Sequence, residues 1–256
     1  MNLLHQEAQI NLAELGKNTY PGRGLVIGMG DNPDNFFQIY WIMGRSEGSR
    51  NRKFVLRDAE DHRPIVAVEK GVSDGATVTP EQAALVFYNA MEEAKRDHQG
   101  TTFIVSNGAQ TSSVAQWTSF PMNLLQKLNG WRYEPDGPNF TPRITGRISF
   151  ARDGVQSEIV VLAKSRFGDS CDRSYYEYRE FHPGLGHSVR TYESDGGPLP
   201  AFRRSPILLP LKGRIHDIAD TYWDALDANN RVALAVKQIH RDVGTSTIVF
   251  KQRHDR

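Results

Sequence analysis

With one cysteine, Cys171, among 256 residues, the chain cannot form an intrachain disulfide. No stretch approaches the roughly 20 consecutive apolar residues needed to cross a bilayer. Met1 to Leu15 carries charges and glutamines where a secretory signal would need an apolar run. A surplus of charge is also missing, since 31 Lys and Arg stand against 30 Asp and Glu for a net charge of +1. A general nucleic-acid binder would normally carry a clear basic excess. These absences predict a cytoplasmic protein with neither nucleic acid nor membrane among its partners. They leave room for a small anionic ligand, because a pocket needs only a few well-placed cations.

Repeats, low-complexity tracts and Ser/Gly/Pro linkers are absent too, so one domain over residues 1–256 is expected. At 39% hydrophobic and 24% charged residues, the chain has the make-up of an ordinary folded core. Strand-like runs rich in β-branched and aromatic residues fill the first third: Gly24–Met29, Phe36–Met43, Lys53–Arg57 and Ile65–Glu69. Asp31-Asn32-Pro33-Asp34-Asn35 is a turn cluster between the first two. Thr79-Pro80-Glu81-Gln82 writes a helix start, and the following Ala83–Ala94 suits either a helix or a buried strand. Thr102–Val105 predicts a strand and Asn123–Leu128 a short helix. Ile144–Phe150 and Val155–Ala163 flank Asp153-Gly154 as a hairpin. Tyr175–Phe181 and His187–Tyr192 are further strands. Ile215, Ile218, Ala219, Tyr222 and Leu226 share one helical face, and Arg231–Ile239 with Thr247–Lys251 make a last hairpin. Many antiparallel strands with few helices predict an α+β fold rather than a doubly wound parallel sheet.

Standard motifs are missing as well. Gly22-Arg23-Gly24 and Gly28-Met29-Gly30 complete neither a dinucleotide fingerprint nor a phosphate loop. His182 and His187 have no second ligand pair at metal spacing, so no metal site is expected. Cys171 has no assured histidine partner, and Asn2 is no N-terminal nucleophile. Two segments stand out instead. Gly44 to Arg52 packs three arginines and two serines behind a strand, a pattern suited to phosphate or to a solvated basic turn. Trp131 to Arg143 mixes three prolines with acids, aromatics and an arginine, as either a stiff functional loop or a rigid surface connection.

Five blocks in order carry a resemblance: Tyr20-Pro21-Gly22-Arg23-Gly24; Tyr40-Trp41-Ile42-Met43-Gly44-Arg45-Ser46 through Arg50; Phe87-Tyr88-Asn89-Ala90-Met91; Val105-Ser106-Asn107-Gly108-Ala109-Gln110-Thr111; and Tyr133-Glu134-Pro135-Asp136 through Arg143. Together they resemble the archaeal-type IMP cyclohydrolase family, with core blocks over residues 20–150. The later part, residues 165–256, is similar to the longer bacterial members. The resemblance implies a four-layer αββα sandwich like that of N-terminal nucleophile hydrolases, without self-processing. It implies cyclisation of 5-formamidoimidazole-4-carboxamide ribotide to IMP with loss of water, and no cofactor or metal. Its catalytic positions carry over to Arg50, Tyr88 and Glu134, with Arg23, Arg45, Asn107, Asn139 and Arg143 as substrate-binding candidates. Glu134 is either the proton-transfer group or a structural carboxylate paired with Arg132 or Arg143. The expected partner is a purine ribotide, and association into a homo-oligomer stays open. The rivals are a catalytically inactive ribotide-binding protein and an amidohydrolase on the same fold, for which Cys171 would be the nucleophile.

Overall fold

A computed structural model describes residues 2–58, 63–70, 87–96, 100–116, 122–151, 154–241 and 245–253. The strands are β1 (Gly24–Met29), β2 (Asn35–Met43), β3 (Arg52–Asp58), β4 (Pro64–Lys70), β5 (Tyr88–Arg96), β6 (Gly100–Ser106) and β7 (Arg143–Ala151). They continue as β8 (Gly154–Lys164), β9 (Cys171–Tyr178), β10 (Leu185–Arg190), β11 (Ile207–Pro210), β12 (Arg231–His240) and β13 (Ser246–Gln252). The helices are α1 (Leu3–Lys17), α2 (Glu47–Arg50), α3 (Gln110–Gln116), α4 (Leu124–Lys127) and α5 (Ile215–Ala225). All the strand pairings are antiparallel, which makes the fold α+β with two antiparallel sheets and few helices. One sheet runs β11-β10-β1-β2-β12-β13, and the other runs β3 to β9 in chain order.

Period-two alternation explains how the first sheet is covered on both faces. In β2, Phe36, Tyr40 and Ile42 join a core shared with Val66, Phe103, Val105 and Ile148 of the second sheet. Their neighbours Phe37, Ile39, Trp41 and Met43 join a separate core with Leu15 of α1 and Ile218 and Tyr222 of α5. A strand buried on both faces reads as a nearly continuous apolar run, as β2 does with Gln38 alone interrupting Phe36–Met43. On the far side of the second sheet, Val114 of α3 and Leu124 of α4 pack on Ile104, Val160 and Leu162.

The segment open to helix or strand is strand from Tyr88 onward, while residues 79–86 lie outside the described residues. Helix α1 has no counterpart among the sequence expectations. It buries Ala8 and Leu15 but leaves Leu3 and Ile10 exposed, which blurs the 3.6-residue stripe. Asn123 caps α4 through a reciprocal bond pair with Gln126, as its sequence suggests.

One charged pair sits between the sheets. Lys237 of β12 is fully buried, and its Nζ donates to Glu93 Oε1 of β5 at 2.9 Å. Ser246 Oγ donates to the same oxygen at 2.5 Å, and Gln38, opposite Lys237 in register, donates to the Phe103 carbonyl at 3.0 Å.

His187 of β10 stacks on Tyr178 of β9, with ring centroids 3.5 Å apart and planes within 10°, and so links the two sheets. Burial, reinforced by His182, depresses its pKa to about 4. The unfolded chain would titrate near 6.5. Between these values the unfolded state binds more protons than the folded state, so stability is retained above about pH 6.5 and lost as pH falls toward 4. The expected loss is at most about 3 kcal/mol. Urea unfolding of wild type and His187→Phe at pH 7 and pH 4.5 checks this: the variant should lose less stability on acidification.

Candidate active site

The site begins where β1 does. Gly22 has φ 72° and lies against Thr191 and Tyr192, where a Cβ would come within 2.2 Å of Thr191 Oγ1. Glycine is therefore required both for the backbone angle and for the close approach. Arg23 follows, with its amide held by Thr191 Oγ1 at 3.0 Å and its carbonyl by the Thr191 amide at 2.8 Å. This two-way clamp aims the Arg23 guanidinium at the loop before β7.

That loop supplies Glu134. Its amide donates to the Thr141 carbonyl at 2.8 Å, and the Thr141 amide donates to Asp136 Oδ1 at 2.7 Å, so the proline-rich turn closes on itself. Arg23 meets the Glu134 carboxylate with both terminal nitrogens, at 3.0 and 2.8 Å. Arg143 approaches the same carboxylate at 3.9 Å, and Asn107 Nδ2 lies 3.5 Å from it. Burial lifts the Glu134 carboxyl above its usual range against the opposing pull of Arg23 and Arg143. Burial also works against the Arg23 charge, yet Glu134 holds its pKa well above the ordinary value. A forked guanidinium on a carboxylate in a water-poor setting is a fixed, strongly oriented pair.

Across the sheets, Tyr40 of β2 and Tyr88 of β5 share a buried hydrogen bond of 2.7 Å between their hydroxyls. Burial and the neighbouring Tyr88 push the Tyr40 hydroxyl well above its usual range, while Arg23 and Arg52 pull the other way. Arg23 and Arg52 thus stand close to the tyrosine pair and form one group with it.

A cavity of about 400 Å³ opens over this group, lined by Tyr20, Gly22, Arg23, Met43, Arg45, Ser46, Ser49, Arg52, Asp136, Asn139, Thr141, Tyr192 and Leu199. Its size falls in the range of small-molecule sites. Cavities of about 430 and 440 Å³ open beside Arg147 and beside Arg190, so volume alone does not select the site. What distinguishes this one is that Arg23, gripped from behind by Glu134, forms part of its wall.

The candidates fall into three groups. Arg23, Arg45 and Asn139 line the cavity. Arg45 ion-pairs with Asp195, bonds to the Gly196 carbonyl at 3.1 Å and lies over the Tyr20 ring at 4.7 Å. Glu134, Tyr88, Asn107 and Arg143 lie behind the lining. Asn107 is buried and fixes the loop, accepting from the Ile144 amide at 2.8 Å and donating to the Pro142 carbonyl at 2.9 Å. Arg143 donates to Gln110 at 2.9 Å and faces the Trp131 ring at 5.0 Å; burial lowers its pKa. Arg50 turns aside, donating to the Gly44 carbonyl at 3.1 Å and to Asn230 at 3.4 Å, and the arginine that reaches the cavity beside Arg45 is Arg52. Its Nε is buried without a partner among the described residues.

Sequence reading did not assign Arg52, Tyr40 or the trio Asp136, Thr141 and Tyr192. Thr141 Oγ1 donates to Asp136, and the Tyr192 hydroxyl is 2.5 Å from the same Oγ1. A carboxylate only accepts and threonine has one proton, so Tyr192 must donate to Thr141. Burial pushes Tyr192 up to about 12. The available signal was position: Arg52 opens a strand, whereas Arg50 ends a helical turn. Cys171 lies at the margin of the core under α3 and α4, its Sγ against the Asp172 carbonyl at 3.6 Å. Among the described residues, no three His, Cys, Asp or Glu side chains converge as metal ligands, and no helix is long and apolar enough to cross a membrane.

A sequence profile described as IMP cyclohydrolase-like protein matches residues 20–243. No curated protein and no solved structure matches the chain.

Proposed function

Because the chain belongs to the IMP cyclohydrolase-like family, we propose that it serves purine biosynthesis by closing the ring of 5-formamidoimidazole-4-carboxamide ribotide to give IMP and water. The observation that carries this reading is the buried, bidentate Arg23–Glu134 pair, whose Arg23 lines a ligand-sized cavity with Glu134 directly behind it. The carboxamide nitrogen is a weak nucleophile because its lone pair is delocalised into the carbonyl. Catalysis must hold that nitrogen against the formyl carbon, remove an N–H proton, stabilise the oxygen of the tetrahedral intermediate and protonate the departing hydroxyl.

Arg23, oriented by Glu134, and Arg52, with its unpartnered Nε, donate to the formyl oxygen as it gains charge. Glu134 is the proton carrier: burial raises its pKa above the ordinary carboxyl value, the direction that favours taking up a proton. Tyr88, bonded to Tyr40 behind the lining, relays a proton. Asn139 and the Asp136–Thr141–Tyr192 chain line the sides of the site. Arg45, Ser46 and Ser49 take the 5′-phosphate at the rim. Arg50, Asn107 and Arg143 hold the turns that present these groups. The two-sheet arrangement with helices outside supports the likeness to N-terminal nucleophile hydrolases. The shared first sheet, which takes β1 and β2 from one end of the chain and β10 to β13 from the other, supports a single domain.

Steady-state IMP formation by Arg52→Gln tests the division of labour. Losing one charged hydrogen bond to the transition state should lower kcat/KM about 10–100-fold, mostly in kcat. Arg50→Gln should cost less than Arg52→Gln, and the reverse order would return the catalytic assignment to Arg50.

A further inference from the structure

A second cavity, of about 440 Å³, lies where α1 meets the segment after β10. Lys17, Arg190 and Arg204 bring three cations to its lining, against Glu14, Glu193 and Asp195. The acids are already committed. Lys17 holds Glu14 at 2.7 Å, and Asp195 is taken by Arg45 from the neighbouring cavity. Glu193 is shared: Arg204 reaches its Oε2 at 2.9 Å, and Arg190 stands 3.7 Å from the same oxygen. Two guanidiniums on one carboxylate leave a net positive charge.

Arg190 makes the imbalance acute. It is only 7% exposed, and among the described residues its bonding uses Nη2 alone, on the Glu193 carbonyl at 3.4 Å and the Glu193 carboxylate. Its Nε is buried without a partner. A buried guanidinium with donors to spare is costly unless something accepts from it. Arg190 and Arg204 both face the Phe202 ring, at 5.4 and 5.6 Å, which holds them side by side. Burial, with Arg204 alongside, draws the Arg190 pKa below its ordinary value, as expected for a cation short of counter-charge.

We infer that the cavity between α1 and the Arg190–Glu193 segment is a second anion site, taking a phosphoryl dianion either free or as the head of a small phosphate monoester. Paired guanidinium forks and an ammonium match the tetrahedral oxygens of such a group. The cavity's volume leaves room for a small organic portion. This site is separate from the proposed ring-closing cavity, and it stands or falls independently of that reaction.

Calorimetric titration of the full chain with inorganic phosphate and with ribose 5-phosphate tests it. Wild type should bind at least one of them saturably, and binding of the sugar phosphate alone would identify the monoester as the source. Lys17→Gln with Arg204→Gln removes two cations whose side chains are 72% and 59% exposed, so the fold should survive. Affinity of this site should fall about tenfold or more in this variant, whereas Ser46→Ala, which alters the other cavity's proposed phosphate rim, should leave in place the binding event that the double variant loses. No saturable binding of either ligand, unchanged affinity in the double variant, or loss in Ser46→Ala alone would overturn the inference.

Discussion

Replacing Glu134 by glutamine should lower kcat for ring closure about 10²–10³-fold. Two effects combine. The amide cannot exchange the substrate proton, and it no longer fixes the Arg23 fork through two charge-assisted bonds of 3.0 and 2.8 Å. Because the two side chains act as one unit, their contributions should not add. A double-mutant cycle on kcat/KM with Glu134→Gln, Arg23→Gln and the double variant should show the double close to the slower single. Losses that multiply would give the two residues separate tasks. Stability should fall as well, because the buried Arg23 loses its counter-charge; breaking such a pair costs about 3–5 kcal/mol.

The second large effect is structural. Lys237→Met should destabilise the protein by about 3–5 kcal/mol, because Glu93 would be left charged and unpaired between the sheets. The methionine itself would fit the apolar layer that surrounds it. Adding Glu93→Gln should therefore recover much of the loss, since the uncompensated charge disappears and Ser246 can still donate to the amide oxygen. Denaturant midpoints of the wild type, both singles and the double measure this coupling. A double variant as unstable as the sum of its singles would mean that packing, and not charge, sets the cost.

Much of the fold was legible because burial on one or two faces imprints a short-range pattern. β1 has the bounds its sequence suggests, and β2, β7, β8 and β12 differ only by a residue or two at their ends. Helix α5 was visible from its single apolar face, whereas α1 was hidden by exposed Leu3 and Ile10. β11 is only four residues long and ends in proline, too short for alternation to show. Pairing order is the part no local pattern reveals. The return of β10 beside β1 and of β12 beside β2 depends on long-range contacts, and it makes the segment from residue 165 onward supply four of the six strands in the first sheet.

The candidate site divides the same way. Arg23 and Glu134 stand out as residue types within distinctive blocks, but their partnership across 111 residues is a property of the fold. Arg132, the sequence-adjacent partner considered for Glu134, bonds instead to the Asp169 carbonyl. In the Gly44–Arg52 segment, composition offered three equivalent arginines. Helical turn and strand onset then send Arg50 toward Asn230 and Arg52 toward the cavity.

The central claim is tested most directly by supplying the purified chain with 5-formamidoimidazole-4-carboxamide ribotide and following IMP by chromatography, with an enzyme-free control and calorimetric binding in parallel. IMP should form at a rate proportional to protein concentration and saturating in ribotide, and the acceleration should collapse in Glu134→Gln. Tight ribotide binding with IMP appearing no faster than in buffer alone would contradict the enzyme reading and leave a binding protein in its place.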